Sequence, residues 1–513
     1  MNIPAPFTVE HWAAVKPDAI AFVEGDRSLT WAQLNDQANR VAHALESYGV
    51  KAGDIVALRT QIRLEWTVLS EALAKLGCAL LGLNWRLTPP ETEYVLSNSG
   101  AKVLVCDDPD PAPLLKSLET LAFKLAVSID TSTPGFVDYA TLLQAAPEPP
   151  LFNTGRPKLV LYTSGTTGLP KGVMASITGD LSAAAEYMQD VGSKQRLTPD
   201  GVGLLTMPVH HGAGPGQIWN AMAMGCKMVM LRRYDPEETL RLIETHQVTS
   251  WTGVPTMYKR IAGLPAEVIA KYNVSSLKTL GVGAAPVPVE LKQWITAHFG
   301  PVLSEGYGAT ETGMLTHATA EMQRLKPGSS GKPYKHVRLS IRDAEGKELP
   351  PNSFGEIWAY TPIAIHNYLN APPLGPDVLD EKGFFRTGDM GRVDEGGYLF
   401  ITDRAKDMII SGGVNIYPAE VEAALLTHPD VQDAAVIGIP DDEFGEQVKA
   451  FCELKPGRET TPAAIMAFCQ TNLASYKRPK SIEILEELPR NTMGKLLKRD
   501  LRAPYWKDRE RKV

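Results

Sequence analysis

The sequence predicts an α/β fold in which a large N-terminal domain is followed by a small α+β C-terminal domain. Strand-like and helix-like patterns alternate through roughly the first 300 residues, which is typical of α/β organisation. Short β-like runs separated by turn residues then occupy roughly positions 320 to 402, and the alternation resumes in the last hundred residues. A chain of 513 residues is also too long for one hydrophobic core, so several lobes are expected.

The first elements follow from local patterns. A helix is predicted to begin after Thr30 as N-cap and to end at Gly49, with one apolar face formed by Leu34, Ala38, Val41, Ala42 and Leu45. The next segments predict a buried strand, a helix and another strand, in "GDIVALRT", "EWTVLSEALAKLGC" and "AKVLVCDD". Residues 131 to 157 are rich in Pro and Thr, and they predict a connector into the strand "KLVLYT".

The middle of the chain repeats this alternation. Strand, helix, strand and helix are predicted in "GLLTMPV", "GQIWNAMAMG", "KMVML" and "PEETLRLIETH". A small antiparallel unit is predicted from "HVRLSIRDAEG", "GEIWAYT" and "GYLFIT". Beyond a boundary near 403 to 407, a helix with Pro418 in its first turn precedes two strands and a second helix.

Bulk properties exclude some classes of function and favour one compartment. The net charge of −7 and the pI near 5.9 do not favour nucleic acid, so no nucleic-acid partner is expected. Five scattered cysteines without a CxxC pair argue against disulfides or zinc and favour a reducing compartment. No apolar run is long enough to span a bilayer, and the N-terminus lacks signal-peptide features. We therefore expect a cytoplasmic protein without an integral membrane segment.

The segment "TSGTTGLPKG" at 163 to 172 predicts a phosphate-binding loop. It supplies hydroxyls, glycines that let backbone N–H groups approach an anion, and the cation of Lys171. The preceding strand would place the loop at a carboxyl end, where α/β folds bind ligands. It is not a Walker loop, because Lys171 follows Pro170 and precedes a glycine. A polar surface turn is the alternative, which ten ordered residues with a lysine disfavour.

This loop resembles the signature of the adenylate-forming superfamily, which includes acyl- and aryl-CoA synthetases, peptide-synthetase adenylation domains and firefly luciferase. Further motifs follow in the family's order: "GAAP" (283–286), "YGATETG" (307–313), "RTGDMG" (386–391), "DRAKDMIISGGVNIYPAEVE" (403–422) and "PRNTMGKLLKRDLR" (489–502). On these motifs the sequence is identified as a member. Membership implies an N-terminal domain (1–403) of α/β subdomains plus a small β-barrel-like subdomain, a hinge (404–406) and a mobile C-terminal domain (407–513).

The resemblance also implies the reaction and its cofactors. Oxide is not a feasible leaving group, so a carboxylate must first be activated before a thiol can attack it. Family members transfer AMP from ATP to the acid with Mg²⁺ present, release pyrophosphate, and pass the acyl group to coenzyme A. Such steps depend on positioning and on stabilising charge at phosphate oxygens.

The nucleotide-site residues are implied by the same motifs. The β- and γ-phosphates would be held by Thr163, Ser164, Gly165, Thr166, Thr167, Gly168 and Lys171. The adenine side would be formed by Gly283, Ala284, Ala285 and Pro286, together with Glu305, Gly306, Tyr307 and Gly308. Thr310 would contact the α-phosphate, and Glu311 would bind Mg²⁺. Asp389 would accept the ribose hydroxyls, with Arg404 as a further nucleotide contact.

The remaining predicted residues concern the acid and coenzyme A. Lys495 matches the lysine that bridges the carboxylate and the α-phosphate during adenylation, and Lys406 matches the hinge. The pantetheine tunnel would be bordered by Ser411, Gly412 and Gly413. His211, in "PVHHGAG", would lie near the substrate carboxylate; a histidine satisfied within a turn is the alternative.

Three functions are compared. An acyl- or aryl-CoA ligase agrees best with the intact "DRAKDMIISGG" segment. A stand-alone enzyme that passes the acyl group to a carrier protein or an amine is the alternative, and a non-catalytic adenylate-binding protein is disfavoured by the complete residue set. Small, apolar segments without an evident cation favour a monocarboxylic fatty or aromatic acid. A homodimer is left open.

Overall fold

The computed structural model describes residues 8–121, 123–152, 158–163, 170–174, 180–194, 197–283, 287, 289–404, 407–411, 414–491, 494 and 496–507. Its helices are α1 (Val9–Val15), α2 (Trp31–Ser47), α3 (Leu64–Leu76), α4 (Pro89–Ser99), α5 (Ala112–Glu119), α6 (Tyr139–Leu142), α7 (Leu181–Lys194), α8 (Ala213–Met224), α9 (Pro236–His246), α10 (Pro255–Ala262), α11 (Ala266–Ile269), α12 (Val289–Phe299), α13 (Ala320–Leu325), α14 (Pro418–Leu426), α15 (Pro462–Asn472) and α16 (Lys498–Arg502).

The strands of the large domain's parallel sheets are β1 (Ile20–Glu24), β2 (Arg27–Thr30), β3 (Ile55–Arg59), β4 (Ala79–Gly82), β5 (Val103–Cys106), β6 (Leu125–Ser128), β7 (Val137–Asp138), β8 (Lys158–Thr163), β9 (Lys171–Met174), β10 (Val202–Leu205), β11 (Lys227–Met230), β12 (Ser250–Gly253), β13 (Thr279–Gly283), β14 (Leu303–Ala309), β15 (Gly313–Thr319) and β16 (Lys332–Pro333). The later strands are β17 (Arg338–Arg342), β18 (Gly355–Tyr360), β19 (Phe385–Val393), β20 (Leu399–Arg404), β21 (Ile409–Ser411), β22 (Val414–Ile416), β23 (Val431–Asp441), β24 (Gly445–Leu454) and β25 (Ser481–Leu485).

Two mainly parallel sheets form the large domain. Within the described residues, one has the order β7-β6-β5-β3-β4-β8-β9, and the other has the order β16-β15-β14-β13-β12-β10-β11-β1-β2. One hydrophobic cluster takes residues from both, including Leu80 of the first sheet and Leu205 of the second. Helices alternate with the strands, which confirms the predicted α/β class. Antiparallel strands are confined to the edges.

The two earliest described strands, β1 and β2, belong to the second sheet. β1 pairs in parallel with β11, with Phe22 opposite Met228. Helix α1 is fixed to the same region, because the Trp12 Nε1 donates to the Ala223 carbonyl at 3.3 Å and the Lys16 Nζ to the Gly225 carbonyl at 2.6 Å. The N-terminal segment therefore completes a sheet whose neighbouring strand lies far along the chain.

Helix α2 shows the local features expected of it. Thr30 and Gln33 form a reciprocal capping box, in which the Gln33 amide donates to the Thr30 hydroxyl and the Gln33 side chain accepts from the Thr30 amide. The predicted apolar face is buried, including Leu34, Ala38 and Leu45. The capping box and the apolar periodicity predict the same helix, so α2 is specified by its local sequence.

The antiparallel unit and the C-terminal region form separate sheets. β17 to β20 make a four-stranded antiparallel sheet within the described residues. The unit starts at Arg338 rather than near 320, because the intervening residues include helix α13 and strand β16, and β16 pairs with β15 at the edge of the second parallel sheet. At the C-terminus β23 and β24 are antiparallel, β25 is parallel to β24, and the core contains Val421, Val436 and Ile465. This mixed sheet with helices confirms the predicted small α+β domain; the limits 1–403, 404–406 and 407–513 stay a prediction.

Two further findings concern membrane-spanning helices and the cysteines. No helix among the described residues has both the length and the apolar character needed to cross a bilayer. The five cysteines are all buried and unoxidised, and burial raises the pKa of thiols such as that of Cys226, to about 12.

Candidate active site

The predicted phosphate loop closes a β-hairpin. β8 and β9 are antiparallel, and Thr163 is paired with Lys171, so the two ends of the loop lie side by side. The Tyr94 hydroxyl donates to the Pro170 carbonyl at 3.0 Å, and the Leu369 amide donates to the Gly172 carbonyl at 2.7 Å. Residues 164 to 168, which include five predicted phosphate contacts, lie outside the described residues.

Gly172 has a different role from the one predicted for it. The sequence groups Gly172 with the glycines that let backbone N–H groups approach an anion, and in the structure Gly172 lies in the extended strand β9. A Cβ at this position would lie 3.0 Å from the Leu369 Cβ and 3.1 Å from the Tyr162 ring. Its small size therefore lets the segment containing Leu369 pack against the hairpin.

Three predicted ATP-site residues converge at the ends of this hairpin. The Thr163 hydroxyl donates to the Glu311 carboxylate at 3.5 Å, although the two residues are 148 positions apart. The Lys171 Nζ lies 5.0 Å from the centre of the Tyr368 ring. Burial first, and then the Glu311 carboxylate, raise the pKa of Tyr368 to about 12. Tyr368 is a site residue that the sequence reasoning missed, because "HNYLN" has no pattern beyond that of a polar loop.

The same cluster fits the predicted magnesium site. Among the described residues, no group of three or more His, Cys, Asp or Glu side chains could hold a metal ion. Glu311 and the Thr163 hydroxyl nevertheless offer hard oxygen donors beside the phosphate loop. Mg²⁺ keeps several waters and binds one or two carboxylates plus substrate phosphates, so this small donor set suits it.

A second cluster joins the predicted ribose and adenine residues. The Tyr307 hydroxyl donates to one Asp389 oxygen at 2.7 Å, and the Arg404 Nε lies 3.4 Å from the other. Asp389 and Arg404 are directly opposite each other on β19 and β20. Burial first, and then the Asp389 carboxylate, raise the pKa of Tyr307 well above its usual value. The hairpin formed by β14 and β15 carries both Tyr307 and Glu311, so it connects this cluster to the phosphate loop.

Glycines keep side chains away from the ends of β13 and β14. A Cβ on Gly283 would lie 2.7 Å from the Gly306 carbonyl oxygen, and one on Gly308 would lie 2.2 Å from the Gly313 carbonyl oxygen. A Cβ on Gly306 would lie 2.5 Å from the Met314 Cε. Glycine at these positions therefore lets the neighbouring strand ends pack closely together. The neighbouring Ala284, Ala285 and Pro286 lie outside the described residues.

Thr310 and Glu305, both on the β14–β15 hairpin, differ in how accessible their side chains are to a ligand. Thr310 is exposed in the turn between β14 and β15. Glu305 is buried, and its carboxylate pairs with the Lys292 Nζ at 2.5 Å and accepts from the Gln323 Nε2 at 2.8 Å. Burial raises the pKa of Glu305, against the effect of these partners. Its side chain is thus engaged by the protein, and a nucleotide contact by Glu305 stays a prediction.

Two adjacent histidines follow β10, of which His210 is buried and His211 is half-buried. Their ring centres are 4.6 Å apart, and burial lowers the pKa of His210 to about 3 and that of His211 to about 4. Both imidazoles are therefore neutral near pH 7, so His211 would meet a substrate carboxylate as a hydrogen-bonding group rather than as a cation. Within the described part of the chain, neither ring nitrogen of His210 has a hydrogen-bond partner.

We expect replacement of His210 by phenylalanine to make stability less sensitive to acid. The unfolded chain binds a proton below about pH 6.5, whereas folded His210 does not until about pH 3, so wild-type stability is lost as pH falls through this window. Between pH 7.5 and 5, the free energy of unfolding of the wild type should fall by about 2 kcal/mol more than that of His210→Phe. Urea denaturation at both pH values measures this, and equal losses would contradict a neutral buried His210.

The C-terminal site residues are only partly described. Ser411 ends β21 and is opposite Val414 across the β21–β22 pair. Lys406, Gly412, Gly413 and Lys495 lie outside the described residues. The neighbours of Lys495 are described, and the Arg490 Nη1 donates to the Gly494 carbonyl at 3.2 Å.

Comparison with known proteins gives two family matches. Residues 9–369 match the family described as AMP-binding enzyme, and residues 420–495 match the AMP-binding enzyme C-terminal domain. A fatty acid–[acyl-carrier-protein] ligase of Streptomyces coeruleorubidus is 32% identical over 99% of this chain and 97% of that protein. A long-chain-fatty-acid–CoA ligase of Mycobacterium tuberculosis is 34% identical over 96% and 97%, and a feruloyl-CoA synthase of Amycolatopsis is 36% identical over the same shares.

Solved structures agree over nearly the whole chain. The ATP-bound form of MatB from Rhodopseudomonas palustris superimposes with a TM-score of 0.85 at 29% identity, covering 98% of this chain and 99% of that one. The apo form of the same protein gives a TM-score of 0.75 at 30% identity over the same shares. Both domains of this chain therefore have counterparts in those structures.

Proposed function

The chain belongs to the AMP-binding enzyme family and is an acid–thiol ligase, and on this premise we propose how its own residues carry out the reaction. ATP and a carboxylic acid give an acyl-adenylate and pyrophosphate, after which the acyl group passes to the thiol of coenzyme A. The observation that carries the proposal is the β14–β15 hairpin, which joins the Tyr307–Asp389–Arg404 cluster to the Thr163–Lys171–Glu311 cluster. One bound nucleotide would contact both.

In the first step the chain would hold the nucleotide at three points. Asp389 accepts the ribose hydroxyls, in place of its present contacts with Tyr307 and Arg404. Lys171 and the loop that begins at Thr163 hold the departing pyrophosphate. Glu311 binds Mg²⁺, which would neutralise phosphate charge. These groups stabilise charge that develops on phosphate oxygens, which is the main requirement of phosphoryl transfer.

The C-terminal domain would serve the two steps in different orientations. Lys495 bridges the acid and the α-phosphate during adenylation, and rotation about 404–406 then brings Ser411, Gly412 and Gly413 to the pantetheine tunnel. Because the sequential steps need different groups at one place, a hinged domain lets one site serve both. The proposed limits are 1–403 for the N-terminal domain and 407–513 for the mobile one.

The acid that we propose is a fatty or aromatic monocarboxylic acid. In support, relatives that match nearly the full length of this chain are named for long-chain fatty acids and for feruloyl-CoA. Helix α8 follows the two neutral histidines, and a Cβ at its Gly216 would meet no atom of the described residues within 4 Å. A carrier protein as acceptor is the second candidate, because one relative is named as an acyl-carrier-protein ligase.

Pyrophosphate release across an acid panel tests the proposal. We expect release with fatty or aromatic monocarboxylic acids and none with malonate or amino acids. Mass analysis of reactions with coenzyme A should show the acyl thioester. Acyl-adenylate that reacts with a pantetheinylated carrier protein but not with coenzyme A would favour the second candidate. Absence of acid-dependent pyrophosphate release with every acid would refute the assignment.

A further inference from the structure

Gly494, which precedes Lys495 in the sequence, packs on helix α10 of the large domain. A Cβ on Gly494 would lie 2.2 Å from the Thr256 hydroxyl oxygen, so the Gly494 backbone packs directly on the first turn of α10. Gly494 also has a φ of +71°, which any side chain would strain. Both features require glycine immediately before Lys495 in the sequence.

One turn further along α10, Lys259 contacts the same segment through charges. The Lys259 Nζ lies 3.2 Å from an Asp433 oxygen, and the Arg490 Nη2 donates to that same oxygen at 2.5 Å. Arg490 in turn donates from its Nη1 to the Gly494 carbonyl at 3.2 Å. Thr256 and Lys259 are three positions apart, so they share one face of the helix. Thr256 therefore contacts Gly494 directly, and Lys259 is linked to Gly494 through Asp433 and Arg490.

The charges on the two sides of this contact are complementary. On the C-terminal side, Asp433 and Glu453 both lie within ion-pair distance of Arg490, which leaves one carboxylate in excess. Lys259 supplies the missing cation from the region that matches the N-terminal family model. The Lys259 and Asp433 side chains are 22% and 10% exposed, so the pair is only partly screened by water. Rotation of the C-terminal domain would separate the pair.

We propose that Lys259 and Thr256 form a docking platform that positions the Lys495 segment for adenylation and contributes nothing to thioester formation. This inference rests on the proposed role of Lys495. Because the ion pair exists only when the segment is docked, it favours that arrangement over the others. Lys259 is thus a positioning residue that acts through Asp433 and Arg490.

The test compares Lys259→Met with Lys259→Arg and with a matched control, Arg260→Met. Arg260 is the next residue of the same helix, is exposed, and carries the same charge. We expect Lys259→Met to slow acyl-adenylate formation about tenfold, with an unchanged KM for ATP. Thioester formation from supplied acyl-adenylate should stay at the wild-type rate. Lys259→Arg should restore adenylation, and Arg260→Met should change neither step.

A second readout does not depend on activity. If the Lys259–Asp433 pair holds residues 489–497 in place, this segment should open more often in Lys259→Met. Its amide hydrogen exchange should then accelerate about tenfold. Unchanged exchange, equal loss of both half-reactions, or failure of Lys259→Arg to rescue would each overturn the platform. If the proposed function were wrong instead, the wild type would form no acyl-adenylate. The difference in exchange between the wild type and Lys259→Met would nevertheless persist.

Discussion

Replacing Lys495 by alanine is expected to reduce acyl-adenylate formation about a thousandfold and to leave thioester formation from supplied acyl-adenylate largely intact. The ammonium group would stabilise charge that develops between the acid and the α-phosphate, and loss of one such preorganised group costs on the order of 10² to 10³ in rate. Acid-dependent pyrophosphate release measures the first step, and acyl-adenylate consumption with coenzyme A measures the second.

A surface lysine of the same domain provides the control. Lys480 is exposed, and its replacement by alanine should leave both steps unchanged. Equal losses in both steps for Lys495→Ala would contradict its restriction to adenylation. The neighbouring Gly494 packs on the large domain, which is the side from which the nucleotide would be reached.

Replacing Asp389 by alanine is expected to raise the KM for ATP about a hundredfold. The carboxylate is the proposed ribose acceptor, and hydrogen bonds to charged groups contribute about 1.5–3 kcal/mol each. The variant also leaves the Tyr307 hydroxyl without its acceptor and Arg404 without its carboxylate. Initial rates over a range of ATP concentrations, at saturating acid, measure the effect.

A carboxylate just beyond the same strand serves as the comparison. Asp394 follows β19 and pairs with the Lys326 Nζ at 2.8 Å, away from the Tyr307 cluster. Asp394→Asn should therefore leave the KM for ATP within about twofold of the wild-type value. If Asp389→Ala and Asp394→Asn behaved alike, the ribose assignment would be wrong.

Features set by neighbouring residues could be predicted well from the sequence. The helix after Thr30 has a cap, an apolar face and a stop within twenty residues, and these fix α2 without distant contacts. The alternating α/β class follows for the same reason. Pro418 at the start of α14 is another local signal that the structure confirms.

Contacts between distant segments could not be read from local patterns. Thr163 meets Glu311 because β8 and the β14–β15 hairpin end at the same place, which depends on how two sheets pack. The resemblance named both residues but gave no geometry. Tyr368 was missed altogether, since its contacts with Lys171 and Glu311 arise from a loop folded over the hairpin. The sequence also places the start of the antiparallel unit near 320 rather than at Arg338, because the pairing of β16 with the second parallel sheet leaves no local signal.

The N-terminal strand has a consequence for how the chain is synthesised. β1 ends at Glu24, and its parallel neighbour β11 begins at Lys227, about 200 residues later. At roughly 5–20 residues per second, a ribosome needs about 10–40 s to make the intervening segment. During that time the β1–β2 hairpin has one edge unpaired, while the first sheet already has its strands up to β9. The first-made strand thus waits for its parallel neighbour until nearly half of the chain has been made.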